Sequence, residues 1–255
     1  MKNPFDLAGE VALVTGGGSG LGRRFCTVLA VNGARVVVSD RRLDAATEVA
    51  DHLVSGGHQA IATGIDVTDV HSIAAGFDAA EAAFGTVTIS VGAAGAAAEK
   101  SALRITPNDW RAMMAVNLDG AWFTAQTAAR RMVRAKTGGS IINIASIMGL
   151  KVHPRVAHYA VSKAGVVQMT KALALELARS NVRVNAIAPG SFDTGMTSGL
   201  LKSTYGKAMI GRVPMRRAGG LGELDGAMLL LASKASSYMN GTVITIDGGH
   251  SLVIP

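Results

Sequence analysis

The sequence has little cysteine, little charge and no long apolar run. Its single cysteine, Cys26, cannot form an internal disulfide, and the first ten residues, MKNPFDLAGE, lack the apolar segment of a secretory signal. No window approaches eighteen consecutive apolar residues, so a membrane-spanning helix is not expected. We therefore expect a soluble, cytoplasmic protein with no membrane partner.

The few charges also argue against several classes of function. Charged residues make up 17% of the chain and hydrophobic residues 49%, which excludes a disordered protein. The net charge is +7, but the densest basic stretch, 130–136, has helical spacing and no interleaved aromatic residues. This favours a solvated helix face over a nucleic-acid site. The six histidines form no H-x-H or H-E-x-x-H pattern, so we expect no metal.

Short β-branched runs alternate with segments of helical period along the chain. Most of the runs are apolar on both faces, as a parallel sheet covered by helices requires. The pattern predicts an α/β fold, a doubly wound parallel seven-stranded sheet of the Rossmann type, in a single domain spanning 1–255. The predicted strands are Val11–Thr15, Arg35–Ser39, Ala60–Ile65, Val87–Val91, Ser140–Ala145, Val182–Ala188 and Thr242–Ile246. The predicted helices are 20–32, 43–55, 69–84, 107–136, 157–180 and 223–233.

A glycine-rich loop follows the first predicted strand and opens a helix. Its small residues would let the backbone approach a pyrophosphate, and the N–H groups at the helix N-terminus would stabilise the negative charge of that pyrophosphate. The spacing differs from the G-x-G-x-x-G fingerprint, so by itself the loop could also be a plain turn. The candidate cofactor residues here are Gly16, Ser19, Gly20, Leu21 and Gly22.

Acidic residues follow the second and third predicted strands. Asp40 stands eighteen residues after Gly22, close to the ~20 expected for a carboxylate that binds the adenosine ribose. Arg41 and Arg42 come next and could instead receive a 2′-phosphate, which leaves the choice between NAD and NADP open at this point. Asp66, followed by Val67, could reach the adenine or cap a turn.

A tyrosine and a lysine lie one turn apart at the start of a predicted helix. Tyr159 and Lys163 share a helix face at positions i and i+4, and a nearby ammonium favours the phenolate form of a tyrosine. Ser146 ends the fifth predicted strand. The carboxyl ends of parallel strands meet at one edge, so Ser146 is expected beside the glycine loop and Asp40.

These motifs, in this order, resemble the short-chain dehydrogenase/reductase family from about Leu7 to Gly249. The resemblance implies that Ser146 binds the substrate oxygen, Tyr159 transfers the proton and Lys163 lowers the pKa of Tyr159 while holding the nicotinamide ribose. It also implies that Asn117 bends a long helix and holds a water linked to Lys163. The remaining cofactor residues it implies are Val67, Ala94, Gly95, Pro189, Gly190 and Thr194.

One segment departs from the family pattern. The family usually has Asn-Asn-Ala-Gly after the fourth strand, whereas this chain has Gly92-Ala93-Ala94-Gly95. Two amide side chains that normally tie the central sheet are absent. We expect cofactor binding to survive with some loss of local rigidity.

The expected activity is hydride transfer between a nicotinamide cofactor and a secondary alcohol or ketone. NAD is expected over NADP because the Asp40 carboxylate would repel a 2′-phosphate. Apolar residues recur at spacings near three and four in 191–215, which predicts a lid over a largely apolar substrate. The alternative substrates are a 3-ketoacyl thioester of coenzyme A or a carrier protein, and a sugar or polyol. The alternative without turnover is a dinucleotide-sensing scaffold.

The predicted oligomeric state is a homotetramer. Segments 107–136 and 157–180 have apolar faces, and members of the family that the chain resembles commonly pair these helices across a two-fold axis.

Overall fold

A parallel sheet of seven strands runs between two layers of helices. The computed structural model of the chain describes residues 3–193, 195 and 203–253. The strand order is β3-β2-β1-β4-β5-β6-β7 with every pair parallel, which confirms the predicted doubly wound sheet. The strands are β1 Val11–Thr15, β2 Arg35–Asp40, β3 Ala60–Gly64, β4 Ile89–Gly92, β5 Gly139–Ile144, β6 Val182–Pro189 and β7 Val243–Ile246.

The helices follow the predicted positions with one correction. They are α1 Gly20–Val31, α2 Leu43–Ser55, α3 Val70–Phe84, α4 Pro107–Met114, α5 Gly120–Ala135, α6 Ala157–Leu177, α7 Thr204–Ile210 and α8 Asp225–Ala232. The prediction of one continuous helix over 107–136 is wrong, because a π-helical turn, Ala115–Asp119, separates α4 from α5. Each extra residue in such a turn rotates the side chains that follow, which bends the helix and re-aims Asn117.

Local signals set the ends of this interrupted helix. Thr106 and Asp109 form a reciprocal capping box with Pro107 at the first helical turn. At the other end Lys136 takes a left-handed conformation, with φ of 56°, and strand β5 begins at Gly139. Both ends therefore agree with the sequence, and only the interior of the segment differs.

Two hydrophobic cores cover the two faces of the sheet. On one face α1, α2 and α8 pack Phe25, Leu53 and Met228 against the strands. On the other face α3, α5 and α6 pack Phe77 and Met132. Neighbouring strand residues point to opposite cores, which explains why the strands are apolar on both faces.

The strand register gathers one set of loops at the carboxyl edge. From β1 the chain moves outward to β2 and β3, then crosses to β4 on the other side of β1, where Thr15 pairs with Gly92. This reversal opens a crevice beyond β1 and β4, the position where open α/β sheets bind ligands.

A buried acceptor in the central sheet lacks a protein donor. Asn143 pairs with Gly92 in the strand register, and its Nδ2 donates to Thr170 Oγ1 at 3.0 Å. Its Oδ1 has no hydrogen-bond partner among the described residues. A Cβ atom at Gly92 would lie 3.5 Å from that oxygen and within 4 Å of no other atom outside its chain neighbours. The missing side chain at position 92 therefore leaves half of the Asn143 amide unpaired.

The segment predicted as a lid is described in part. Thr194 and 196–202 lie outside the described residues, while α7 supplies one of the short helices predicted for 191–215. Phe192 and Gly219 form an isolated parallel bridge where this segment leaves and rejoins the domain. Among the described residues no helix combines the length and apolarity needed to cross a membrane.

Candidate active site

The glycine loop packs directly against backbone. Gly16 has φ of 68°, and a Cβ atom there would lie 2.8 Å from both N and Cα of Ala94. A Cβ atom at Gly22 would lie 2.1 Å from the carbonyl oxygen of Gly16. Ser19 precedes α1 without a side-chain cap, so the first N–H groups of the helix remain available to an anion. This geometry fits a pyrophosphate cradle.

Asp40 is held against the same loop at the end of β2. Its Oδ2 accepts a hydrogen bond from Gly18 N–H at 3.1 Å, and its Oδ1 accepts one from Arg42 N–H at 3.0 Å. The Arg42 Nε lies 3.9 Å from Oδ1. Asp40 and Arg41 both line the cleft, so an acidic and a basic residue lie side by side where β2 ends.

Asp66 caps a turn and also borders the cleft. Its Oδ1 accepts hydrogen bonds from Thr68 Oγ1 at 2.7 Å and Thr68 N–H at 2.9 Å, so it caps a turn. These bonds lower the pKa of Asp66, and the charge of Arg41 lowers it further. Asp66 also lines the cleft, next to Val67.

Asn117 lies in the π-helical turn and binds the loop that follows β4. Its Oδ1 accepts a hydrogen bond from Ala96 N–H at 2.8 Å, and its Nδ2 donates to the Ala96 carbonyl at 2.9 Å. Nδ2 also lies 3.2 Å from Ser162 Oγ, which donates to the Tyr159 carbonyl at 2.7 Å. Asn117 is therefore behind the cleft wall and links it to the helix that carries Tyr159.

Tyr159, Lys163 and Ser146 meet at the cleft. Burial raises the pKa of Tyr159, and its hydrogen bond with Ser146 acts in the opposite direction. Lys163 Nζ donates to the Ile144 carbonyl at 2.8 Å and lies 5.9 Å from the centre of the Tyr159 ring. Burial lowers the pKa of Lys163 to about 8. The three polar side chains are thus held in a largely dry environment.

The end of β6 completes the far wall. Pro189 and Gly190 line the cleft, and a Cβ atom at Gly190 would lie 2.6 Å from the Cβ of Asp247. The Asp247 carboxylate accepts hydrogen bonds from Gly249 N–H at 2.9 Å and Ser251 N–H at 2.7 Å. The Asp-Gly-Gly turn after β7 therefore supports the Pro-Gly corner from behind.

These walls enclose a cleft of about 570 Å³. Sixteen predicted residues line it: Gly16, Ser19, Gly20, Leu21, Gly22, Asp40, Arg41, Asp66, Val67, Ala94, Gly95, Ser146, Tyr159, Lys163, Pro189 and Gly190. Asn117 lies behind the wall, and Thr194 lies outside the described residues.

Sequence reasoning missed several lining residues: Ile65, Ala96, Ala97, Val116, Ile144 and Ala145. Arg42, considered above for a 2′-phosphate, also lines the cleft, as do Ala93 of the Gly92–Gly95 segment and Phe192 and Gly195 of the predicted lid. Most of the missed residues are neighbours of predicted residues at strand ends. Their position next to the ends of β3, β4 and β5 was therefore the sequence feature that could have identified them.

Comparisons with known proteins agree with this site. Residues 16–251 match the sequence model of the family described as enoyl-(acyl carrier protein) reductase. The chain is 39% identical over 254 residues to a galactitol 2-dehydrogenase (L-tagatose-forming) from Cereibacter sphaeroides, with 98% of each chain covered. It is 37% identical to a cis-4-hydroxycyclohexanecarboxylate dehydrogenase from Sinomonas cyclohexanicum, with 97% of each covered. A 3-oxoacyl-acyl-carrier-protein reductase from Thermotoga maritima is 36% identical, with 95% and 98% covered.

Solved structures show the same fold. A short-chain type dehydrogenase/reductase from Mycobacterium marinum superimposes with a TM-score of 0.93 at 38% identity, covering 97% of both chains. A gluconate 5-dehydrogenase from Burkholderia cenocepacia J2315, in complex with NADP and tartrate, superimposes with a TM-score of 0.94 at 35% identity, covering 98% of both.

The chain belongs to the short-chain dehydrogenase/reductase family. It is an NAD(P)-dependent oxidoreductase that interconverts alcohols and ketones. The glycine loop fits the nicotinamide dinucleotide that the family binds, because its glycines pack on backbone while the first N–H groups of α1, which no side chain caps, stay available to a phosphate.

Replacing Lys163 by Met is expected to stabilise the fold at neutral pH. Below pH 8 the lysine is charged in both the folded and the unfolded chain, so the full cost of burying the charge applies. Lowering the pKa from 10.5 to about 8 corresponds to a cost of about 3 kcal/mol in the free energy of unfolding. The substitution removes this cost, but it also removes the hydrogen bond to the Ile144 carbonyl, which makes the net gain smaller. As pH rises from 8 to 10.5 the folded chain loses this proton first, and the cost disappears.

Urea unfolding of both proteins at pH 7 and pH 9.5 measures this effect. The advantage of Lys163→Met should shrink by about 2 kcal/mol at the higher pH. An advantage that is equal at both pH values would contradict the burial argument.

Proposed function

We propose that Tyr159 is the acid–base group and Ser146 the hydrogen-bond donor to the substrate oxygen. The observation that carries this proposal is the convergence of Ser146, Tyr159 and Lys163 at the carboxyl edge of the sheet. In alcohol oxidation the hydroxyl proton passes to the Tyr159 phenolate oxygen, and in ketone reduction it returns. A nicotinamide cofactor held by these residues would supply the hydride acceptor for oxidation and the hydride donor for reduction.

Lys163 and Asn117 support this proton transfer in the proposal. The ammonium of Lys163 faces the cleft beside Tyr159, where it favours the phenolate and reaches the ribose. Asn117 positions the wall at Ala96 and, through Ser162, the first turn of α6. No step of this chemistry requires a metal.

The cofactor is proposed to lie across the whole carboxyl edge. Gly16, Ser19, Gly20, Leu21 and Gly22 would hold the pyrophosphate. The adenosine would contact Asp40, Arg41, Asp66, Val67, Ala94 and Gly95. The nicotinamide would lie against Pro189, Gly190 and Thr194.

NAD is the proposed cofactor because of how Asp40 is fixed. Two backbone N–H groups hold its oxygens, and its side chain is only 13% exposed, so it cannot swing away from a 2′-phosphate. A phosphate there would meet a like charge at close range. The nearest cation, Arg42, is already beside Asp40. NADP is the competing cofactor, since the Burkholderia relative holds it.

A compact and largely apolar secondary alcohol is the proposed substrate. The described lining that is not assigned to the cofactor includes Ala96, Ala97 and Phe192, none of which has a hydrogen-bonding side chain. Sites that select polyhydroxylated substrates place polar groups against each hydroxyl. The Sinomonas relative is named for a hydroxycyclohexane acid, which is a ring alcohol of this type.

A sugar or polyol is the second candidate. The galactitol 2-dehydrogenase and the gluconate 5-dehydrogenase support it by their names. A 3-ketoacyl thioester has less support, although one relative reduces such a substrate by its name. Arg216 and Arg217 are basic residues that could attract the phosphates of such a thioester, but both are engaged within the chain. Arg217 pairs with Glu223, and Arg216 donates to the Gly211 carbonyl. A sensor without turnover would not need the complete catalytic set.

We propose a homotetramer of single-domain chains. Val161 and Leu175 lie about four turns apart on one face of α6 and are 48% and 83% exposed, and Phe123 on α5 is also exposed. We call these exposed side chains on α6 its apolar patch, and exposed apolar side chains are typical of interfaces. Strand β7, at the edge of the sheet, offers a second surface. The buried and single Cys26 is compatible with the cytoplasm.

Tyr159→Phe should lower kcat by about 10²- to 10⁴-fold, because the phenol is the proton carrier. Tyr238→Phe makes the same chemical change at an exposed tyrosine and should have no effect. The assay follows nicotinamide absorbance with an alicyclic secondary alcohol, a sugar alcohol and a 3-hydroxyacyl thioester. The alicyclic alcohol should give the highest kcat/KM. Sugar-alcohol turnover well above it would refute the apolar substrate, and an active Tyr159→Phe would refute the mechanism.

Asp40→Ala should narrow a preference for NAD by roughly tenfold or more, because a like charge near the 2′-phosphate is removed. Asp44→Ala removes the same charge at an exposed position of α2 outside the cleft and serves as the control. The measurement is kcat/KM for NAD and NADP in each protein. A wild-type preference for NADP would contradict the assignment.

Leu175→Glu should dissociate the tetramer, because it places a charge in the apolar patch of α6. Leu103→Glu is the control, since Leu103 is 98% exposed outside that patch. Light scattering measures the mass of each protein. A wild-type monomer at micromolar concentration would exclude the tetramer.

A further inference from the structure

The turn after β5 fixes the hydroxyl of Ser146. Ile147–Gly149 form a 3-10 turn that Ser146 caps, with Met148 N–H donating to Ser146 Oγ at 3.1 Å. Gly149 N–H donates to the Ser146 carbonyl at 2.9 Å. Because an N–H group already occupies an acceptor site on Oγ, the hydroxyl hydrogen is free to point toward Tyr159 or a substrate oxygen. The turn therefore makes Ser146 a donor at the cleft.

The same turn rests on the backbone of α6 through Gly149. A Cβ atom at Gly149 would lie 2.6 Å from the Lys163 carbonyl oxygen, 2.7 Å from its carbonyl carbon and 3.0 Å from Ala164 N. These are backbone atoms inside a helix, so none of them can rotate away. Gly149 is not among the glycines with positive φ, so an alanine there is limited by space rather than by conformation.

We propose that Gly149 is a positioning residue for the reaction. Its bare Cα sets the distance between the turn that carries Ser146 and the helix that carries Tyr159 and Lys163. Gly149 does not line the cleft and touches no reacting atom. The inference rests on the proposed roles of Ser146 and Tyr159, and it adds a determinant that those roles do not contain.

A methyl group at this position would separate the two elements. Moving a Cβ contact from 2.6 Å to ordinary van der Waals distance requires a shift of about 0.8–1.4 Å. Misplacement by about 1 Å in an active site costs up to ~10²-fold in rate. The glycine loop and Asp40 lie on the other half of the cleft and would not move.

The separation has a second consequence, for the pH dependence. The hydrogen bond with Ser146 opposes the rise in the pKa of Tyr159 that burial causes. If this hydrogen bond weakens, burial raises the pKa of Tyr159 further, so Tyr159 loses its proton at higher pH. The pH profile of alcohol oxidation should then shift to higher pH, which a loss of stability alone would not produce.

The test compares Gly149→Ala with Gly226→Ala. Gly226 lies in α8 and has no atom within 4 Å of a Cβ position, so it isolates the effect of a glycine-to-alanine change in a helix. We expect Gly149→Ala to lower kcat by about 10- to 100-fold and to shift the pH profile upward. The Kd for NADH, measured by fluorescence, should stay within about threefold of the wild type because the pyrophosphate cradle is unchanged. Gly226→Ala should match the wild type in all three measurements.

Three results would overturn the proposal. The first is a Gly149→Ala enzyme that keeps kcat within about threefold of the wild type. The second is an unchanged pH profile. The third is loss of NADH binding or of cooperative unfolding, which would make Gly149 a residue of the fold rather than of the reaction. Ser146→Ala and Tyr159→Phe are measured in parallel. Full activity in those two would refute the proposed function as well, whereas full activity in Gly149→Ala alone would refute only this inference.

Discussion

The backbone of the glycine loop and the backbone after β4 are in direct contact, and the rest of the site is built around that contact. Gly16 makes it possible because a side chain there would overlap Ala94. The Asn117 amide then holds the next residue but one, Ala96, by both its N–H and its carbonyl. Asn117 can do so because the π-helical turn re-aims it. The π-helical turn, through Asn117, and Gly16 thus both fix the segment after β4, at Ala96 and Ala94 respectively.

The site also contains polar groups whose burial lowers the stability of the fold. Lys163 is buried with a lowered pKa, and burial raises the pKa of Tyr159. Asn143, one strand away, keeps an acceptor with no partner among the described residues. Buried and weakly paired polar groups are typical of functional sites, since the packing elsewhere stabilises the arrangement. Here that packing consists of the two cores on the faces of the sheet.

The architecture could be predicted because hydrophobic pattern and strand order carry it. The alternation of apolar strands with helices predicted the parallel sheet. Residues at strand ends, such as Asp40 and Ser146, predicted the edge of the sheet at which the site lies. The π-helical turn could not be derived from periodicity, since 107–136 has one continuous helical pattern and only the resemblance indicated a bend at Asn117. The contact between Gly149 and Lys163 depends on distances between elements far apart in sequence. No local pattern encodes such distances.

The bridge between Phe192 and Gly219 joins the two ends of the segment that lies between them in the sequence. Gly219 N–H donates to the Ser191 carbonyl at 2.9 Å, and the Phe192 ring occupies the space that a side chain at Gly219 would fill. The chain therefore enters and leaves this segment at one closed point, directly after the Pro189–Gly190 corner. Length and composition between the two ends can vary without moving that corner, since loop closure changes little in free energy with length. The domain is thus modular at this point: the segment between Phe192 and Gly219 can be exchanged while the rest of the cleft stays unchanged.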